Sequence, residues 1–364
     1  MLTDSLILWC PACEQRYTSR WTWRCGCGHP LEFENAPLAE GSPPTPSAPS
    51  SLWAFQSLLP VTQAVSLGAG MTPLVNAPKW DARFKLEYIS PTGSFKDRGA
   101  ATTIAVAAEL GIETLIEDSS GNAGTAIATY AAAAGIDAKI YVPSGIKAGK
   151  RRAIEQTGAT ICAIEGERVD ATEACLSAVE QGKGWYGSHA WNPAFFTGTA
   201  TFAYEVCLQR EWTAPDAVVL PVGHGTLFLG AYRGFSRLKA GGWIDSLPQL
   251  FAAQASGYAP VVESNRTVSQ QPNGLADGIH IRNPPRGHQI SAAIDDTGGS
   301  AVAITEEALT ESLDQLHTAG FYTEPTCAVA TAALRQLRAS GAIESDADVV
   351  VPLTGSGHHV EMPS

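Results

Sequence analysis

Thr114-Leu-Ile-Glu-Asp118-Ser-Ser-Gly-Asn122 runs into an alanine-rich stretch ending at Ala134-Gly135, and Ala138-Lys-Ile-Tyr-Val142 follows. A short apolar run, a turn of small hydroxyl residues, a helix-forming stretch closed by glycine and a second apolar run read as strand, helix, strand. The alternation continues on both sides. Downstream, Ala148 to Gln156 reads as helix, Thr160-Ile-Cys-Ala-Ile164 as strand and Asp170 to Glu180 as helix. Upstream, Phe84-Lys-Leu-Glu-Tyr-Ile89 reads as strand and Phe95 to Leu110 as helix. Asp216-Ala-Val-Val-Leu-Pro-Val222 then leads through a glycine turn into a helix reaching Leu238, and helix Cys327 to Ala339 precedes strand Asp348-Val-Val-Val-Pro-Leu353. Alternating elements of this length imply an α/β fold, with mostly parallel sheet covered by helices on both faces. No repeat of fixed period interrupts it.

The chain of 364 residues is long enough for two or three domains, and 45% apolar with 16% charged residues is the balance of a globular protein. A net charge of −12 argues against a nucleic-acid partner, whose affinity needs clustered Lys and Arg. No apolar run approaches the roughly 18 residues of a membrane span, so no membrane association is expected. Met1-Leu-Thr-Asp-Ser-Leu-Ile-Leu-Trp9 has no basic region or small-residue cleavage site. It does not read as a signal peptide, and a cytoplasmic protein with reduced cysteines is expected.

Of eight cysteines, four crowd into the N-terminus as Cys10-Pro-Ala-Cys13 and Cys25-Gly-Cys27. Two close pairs around an aromatic-rich hairpin are what a tetrahedral thiolate zinc site needs, and metal binding would stabilise a segment too short for its own core. A decayed site with reduced thiols is the other reading, and His29 reads as a bystander. Residues 1–33 are thus expected to be a zinc-ribbon-like module, residues 34–52 a Pro/Ser-rich linker, and 53–364 the main region. Cys162, Cys175, Cys207 and Cys327 read as small buried hydrophobes.

Three strand-to-helix junctions are rich in small and hydroxyl residues, at the carboxyl strand ends where α/β proteins bind ligands. Asp118-Ser-Ser-Gly-Asn122 offers backbone amides and hydroxyls to an anion such as a carboxylate, though an ordinary Ser/Asn helix cap reads equally. In Pro221-Val-Gly-His-Gly-Thr226 the glycines let backbone approach a phosphate, although a plain turn is also possible, and His224 reads as a loop residue. The pattern is neither of the glycine motifs of nucleotide binding. Leu353-Thr-Gly-Ser356 could face a ring nitrogen. A fourth segment, Ser90-Pro-Thr-Gly-Ser-Phe-Lys96-Asp-Arg-Gly99, puts a lysine at a helix start, where the dipole favours its neutral, nucleophilic form.

In this order the four segments resemble the fold-type II pyridoxal-phosphate enzymes, the tryptophan synthase β-like superfamily, and within it the threonine synthases. Gly70-Met-Thr-Pro-Leu-Val75 and Trp23-Arg-Cys-Gly-Cys-Gly28 add to the likeness, which covers essentially the whole chain. The resemblance implies two open parallel-sheet domains, with a smaller subdomain at about 97–205 inserted in the larger, and a homodimer. It implies pyridoxal 5'-phosphate as cofactor, held by Lys96 as a Schiff base. By position, Asn122 would face the phenolic oxygen, Val222, Gly223, His224, Gly225 and Thr226 the phosphate, and Ser356 the pyridine nitrogen. Ser119, Ser120 and Gly121 would hold the carboxylate of a small amino acid. A hydroxyl at the ring nitrogen makes a milder electron sink, suited to elimination and replacement at Cβ or Cγ.

One departure bears on the substrate. Threonine synthases typically follow an Asn-Pro pair with an arginine and a Gly-x-Lys-Thr, which help hold the phosphate of O-phosphohomoserine. Here the stretch is Trp191-Asn-Pro-Ala-Phe195-Phe-Thr-Gly198-Thr-Ala-Thr201. Two missing cations cost a dianion site several kcal/mol, at about 1.5–3 kcal/mol for each charge-assisted hydrogen bond. Lys147, Lys150, Arg151 and Arg152 could supply charge, but read as a solvated helix face. A threonine or serine ammonia-lyase, or a β-replacing synthase on a substrate without phosphate, is the alternative enzyme. An inactive cofactor-fold interaction protein is the non-enzymatic one.

Overall fold

The computed structural model describes residues 7–34, 39, 41–43, 50–263 and 274–359. Residues 35–38, 40 and 44–49, most of the expected linker, lie outside the described residues. So do residues 1–6 of the stretch read for a signal peptide. No described helix is long and apolar enough to cross a membrane.

Three two-residue strands come first, β1 (Leu8–Trp9), β2 (Arg16–Tyr17) and β3 (Glu32–Phe33), paired antiparallel in the order β2-β1-β3. Their core is Leu8, Cys10, Cys25 and Leu31, with Tyr17 and Phe33 packed against it. Apolar burial on this scale does not hold a fold, and half of the core members are thiols. The remainder of the chain opens with an antiparallel pair, β4 (Leu74–Ala77) and β5 (Ala82–Lys85).

The contacts divide the chain into a first unit, residues 1–37, 46–70 and 96–199, and a second, residues 38–45, 71–95 and 200–364. In the first unit the order is α1 (Lys96–Glu109), β6 (Thr114–Glu117), α2 (Asn122–Ala134), β7 (Asp137–Pro143), α3 (Ala148–Glu155), β8 (Thr160–Ile164), α4 (Arg168–Glu180) and β9 (Trp185–Tyr186). The strands form a parallel sheet in the order β8-β7-β6-β9. Gly135, left-handed at φ 67°, closes α2 by donating to Ala131 and Ala132, and a Glu167–Asp170 capping box opens α4.

Helix α5 (Pro193–Leu208) is followed in the second unit by β10 (Ala217–Pro221), α6 (Thr226–Ala240), β11 (Gln249–Ala255) and the short α7 (Pro260–Glu263). Then come α8 (Gly287–Thr297), β12 (Ala301–Ile304), α9 (Glu306–Thr318), α10 (Pro325–Ala339) and β13 (Val349–Pro352). The sheet order is β12-β11-β10-β13-β5-β4, parallel except for the edge strand β4. Phe84, Val219, Phe251 and Val351 from the strands pack on Val329, Ala333 and Leu337 of α10.

The expected strand 84–89 stops at Lys85, and residues Glu87–Ile89 form a tight helical turn. The cause is a buried polar knot. Lys85 Nζ lies 2.9 Å from Glu205 Oε2, both fully buried, and also donates to Thr72 O and to Gln209 Oε1. Thr72 Oγ1 donates to Glu87 Oε1 at 2.7 Å. Held by Thr72 and Glu205 through Lys85, and by Thr72 again through Glu87, the chain turns after Lys85 instead of running on as strand. Of the scattered cysteines, Cys175, Cys207 and Cys327 are buried as expected, and Cys162 only half-buried.

Candidate active site

In the second unit, three neighbouring parallel strands, β10, β13 and β5, carry three of the singled-out segments at their carboxyl ends. Adjacent strand ends are where backbone amides gather without competing ladder bonds. The segment after β5 is laced to the one after β13. Phe95 N–H donates to Thr354 O at 3.0 Å, Ser356 N–H to Gly93 O at 2.9 Å, and Ser94 pairs with Gly355. Thr323 pairs in turn with Ser356, and Glu324 N–H donates to Gly355 O. A Cβ on Gly355 would sit 2.3 Å from the Glu324 carboxyl carbon, so any side chain there would have to push that carboxylate aside. Ser356 is buried, and its Oγ accepts from His358 N–H at 3.2 Å. The hydroxyls of Ser90, Ser94 and Thr323 are buried without a hydrogen-bond partner. Such hydroxyls are rare in a finished core and common in a site that a polar ligand completes.

After β10, Val222 N–H donates to Ala253 O, and Gly225, left-handed at φ 76°, is the N-cap of α6. A Cβ on Gly223 would stand 2.9 Å from Ile279 Cα, and one on Gly225 2.5 Å from Ile290 Cδ1. Thr226 is buried at the first position of the helix, and His224 is half-buried. A glycine turn walled by apolar side chains at the positive end of a helix, with a buried threonine hydroxyl, fits a phosphate by its donor chemistry.

Lys96 opens α1 in the first unit, half-buried, between buried Phe95 and fully buried Asp97. Ser119, Ser120 and Gly121 follow β6 and lead into α2, whose cap Gly121 makes no side-chain cap bond. The cap position itself is thus a glycine, with the Ser119 hydroxyl accepting from its N–H at 3.3 Å. A Cβ on Gly124 would come 1.9 Å from Ser119 O, which ties the loop tightly to the helix. Ser119 is buried, whereas Ser120, Gly121 and Asn122 are half-exposed and reachable.

Beside this loop stand residues the sequence did not single out. Glu117, fully buried at the end of β6, accepts from His189 N–H, and its Oε1 is 2.6 Å from His189 Nδ1. Burial, reinforced by Asp118, holds the Glu117 carboxyl well above the usual range, while the His189 amide, Arg168 and Lys96 oppose the shift. Tyr186 OH donates to Asp118 Oδ1 at 2.9 Å. The one signal available was two adjacent acids closing an apolar strand in front of Ser119.

The four N-terminal cysteines come together with all ligand atoms within 4.8 Å of one another. Cys10 and Cys27 sulfurs are 3.6 Å apart, and those of Cys13 and Cys25 are 3.4 Å apart. A tetrahedral zinc site with bonds of about 2.3 Å separates its sulfurs by about 3.8 Å, so the set fits such an ion. His29 Nδ1 lies 3.4 Å from Cys27 Sγ, beside the cluster.

Residues 65–355 match a family described as pyridoxal-phosphate dependent enzyme. A threonine synthase of Methanosarcina acetivorans is 34% identical over 321 residues, covering 84% of this chain and 79% of that protein. One of Methanocaldococcus jannaschii is 32% identical over 84% of this chain and 80% of its own. In fold, the chain is similar to the processed form of threonine deaminase isoform 2 from Solanum lycopersicum. The TM-score is 0.67 at 20% identity, over 78% of this chain and 79% of that one.

Proposed function

The chain belongs to the family of pyridoxal-phosphate dependent enzymes, and from that premise we propose that it is a threonine-synthase-like lyase. It would act by elimination and replacement at Cβ or Cγ of a small amino acid, converting O-phosphohomoserine to threonine and phosphate. The observation that carries this is the lacing of Gly93–Phe95 to Thr354–Ser356 around unpartnered buried hydroxyls, one residue before Lys96.

Bound pyridoxal phosphate supplies an electron sink for negative charge developing at the substrate Cα. The rest falls to side chains and amides of this chain. Lys96 would hold the cofactor covalently through its amine and would carry protons at the substrate Cα and beyond. The turn Val222, Gly223, His224, Gly225 and Thr226 would hold the phosphate at the start of α6. The Ser356 hydroxyl would face the ring nitrogen, and the Asn122 amide the phenolic oxygen. Ser119, Ser120 and Gly121 bind the substrate carboxylate with hydroxyls and amides at the start of α2.

A specific observation favours the second reading, an ammonia-lyase or β-replacing synthase on a substrate without phosphate. Phe195 and Phe196, where the resemblance expects basic residues nearby, are fully buried, and the Phe195 ring fills the space over Gly99. Purified protein given O-phosphohomoserine, threonine, serine and O-acetylserine separates the two. Threonine with equimolar phosphate supports the first, and 2-oxo-acid release the second. Lys96→Ala should abolish the visible absorbance of the lysine-held cofactor together with turnover. Retention of either by that variant overturns the proposal.

Zinc at Cys10, Cys13, Cys25 and Cys27 is proposed as structural, since four thiolates leave no open position for chemistry. Metal analysis should find one zinc per chain, lost in Cys10→Ser with a fall in melting temperature. The homodimer and the cytoplasmic location stay part of the proposal, and light scattering on the purified protein tests the dimer.

A further inference from the structure

The N-terminal ribbon touches the first unit in a way that metal binding and folding do not explain. Its loop 18–24 is fastened at two points, where Arg20 donates to Leu110 O and Trp185 Nε1 donates to Arg20 O at 2.7 Å. Between these fastenings and the second cysteine pair, Trp23 stands edge-on to two rings. It is 5.3 Å from Tyr186 and 5.1 Å from Trp191, each at 86°. Perpendicular aromatic pairs at this spacing are attractive and directional.

Tyr186 continues the line inward. It is buried in a cluster with Ile116 and Cys175, and Asn192 Nδ2 donates to its backbone carbonyl at 3.1 Å. Its hydroxyl donates to Asp118 Oδ1 at 2.9 Å, and Thr172 Oγ1 donates to the other carboxylate oxygen at 2.8 Å. Burial first, then Asp118 and Glu117, push the phenol far above its ordinary range, so it keeps the proton it donates. Asp118 is the last residue before Ser119. Within the loop, Gly121 N–H reaches Ser119 Oγ only at 3.3 Å, a weak restraint. Behind the loop, Ser119 O packs on Gly124; at its entry, the two hydroxyls grip Asp118.

We propose that Trp23, Tyr186 and Asp118 form a positioning relay through which the ribbon holds the Ser119–Asn122 loop in the geometry that receives a substrate carboxylate. This rests on the proposed function for the role of the loop, though not for the relay itself. None of the three touches substrate. Their effect is on where Ser119 and Ser120 stand, so it falls on substrate binding rather than on the cofactor. Trp23 borders a cavity of about 140 Å³ walled by Leu8, Phe33, Val106, Leu110 and Trp185. Truncating its ring would merge with that space instead of being filled by neighbours.

The test uses full-length holoenzyme. Tyr186→Phe removes one hydroxyl, and Trp23→Ala removes the wedge. Both should raise KM for the amino-acid substrate roughly tenfold with kcat changed less than about twofold, the loss of a hydrogen bond to a charged group being of that order. The cofactor absorbance should stay as in the parent, and amide exchange across residues 118–124 should quicken about tenfold. Trp23→Phe, which keeps an aromatic edge, should restore most of both. Unchanged exchange and KM in Tyr186→Phe overturn the relay, as does a fall in kcat alone or a loss of the cofactor band. If Trp23→Ala does not fold, Tyr186→Phe decides. A parent protein that binds no amino acid sinks the functional reading instead, and the exchange rates still decide the relay.

Discussion

Two junctions of this molecule look alike on paper and differ in what surrounds them. After β6 and after β10, a parallel strand ends and a glycine stands at the N-cap of the next helix. Around Gly223 and Gly225 the walls are apolar, Ile279, Ile281 and Ile290, and in contact with where a side chain would be. Around Ser119–Asn122 the neighbours are Glu117, Asp118, Tyr186 and His189, joined by hydrogen bonds. Apolar walls fix a turn once and exclude water from it, which suits a group that stays. A hydrogen-bonded polar surround can readjust and sets charge, which suits a ligand that comes and goes.

The sharpest way to break this contrast is to place a methyl in each junction. Gly124→Ala meets the backbone oxygen of Ser119 at 1.9 Å and cannot be relieved by a rotamer. It should cost about 3–5 kcal/mol of stability in thermal unfolding and abolish substrate binding with it. Gly225→Ala meets only the tip of Ile290, but at a left-handed φ of 76°. It should cost about 1–2 kcal/mol and show as cofactor lost on dialysis, with KM for the amino acid little changed. Thr226→Val should weaken cofactor retention by roughly tenfold, the worth of one hydroxyl to a phosphate. Ser120→Ala, half-exposed, should raise KM a few-fold, within about 1 kcal/mol, and leave cofactor content intact. If Thr226→Val raised KM instead and Ser120→Ala shed cofactor, the two junctions would have exchanged roles.

The sequence made the first junction legible because local chemistry decides it. Helix 122–134 and strand 160–164 coincide with their expected limits, since Gly121, Gly135 and an apolar run of five mark them without outside help. The strand 84–89 failed because Lys85 answers to Glu205, 120 positions away. Strand β11, Gln249–Ala255, is too rich in alanine to announce itself, and it is buried by its place between β10 and β12. In the site, the motif residues were visible because each is a backbone or hydroxyl device. Glu117, Tyr186 and His189 were not, because their meaning lies in pairings between the ends of β6 and β9 that no spacing encodes.

The Phe195 ring over Gly99 bears on the history of the chain as much as on its packing. A Cβ on residue 99 would lie 2.3 Å from that ring, so position 99 cannot take a side chain before position 195 has made room. A descendant regaining a positive side chain at 195 would pass through an intermediate with an empty core, or with an unpaired charge inside it. The bare backbone at 99 thus ties that position to an aromatic ring at 195, and a charge at 195 would first have to find a partner inside the core.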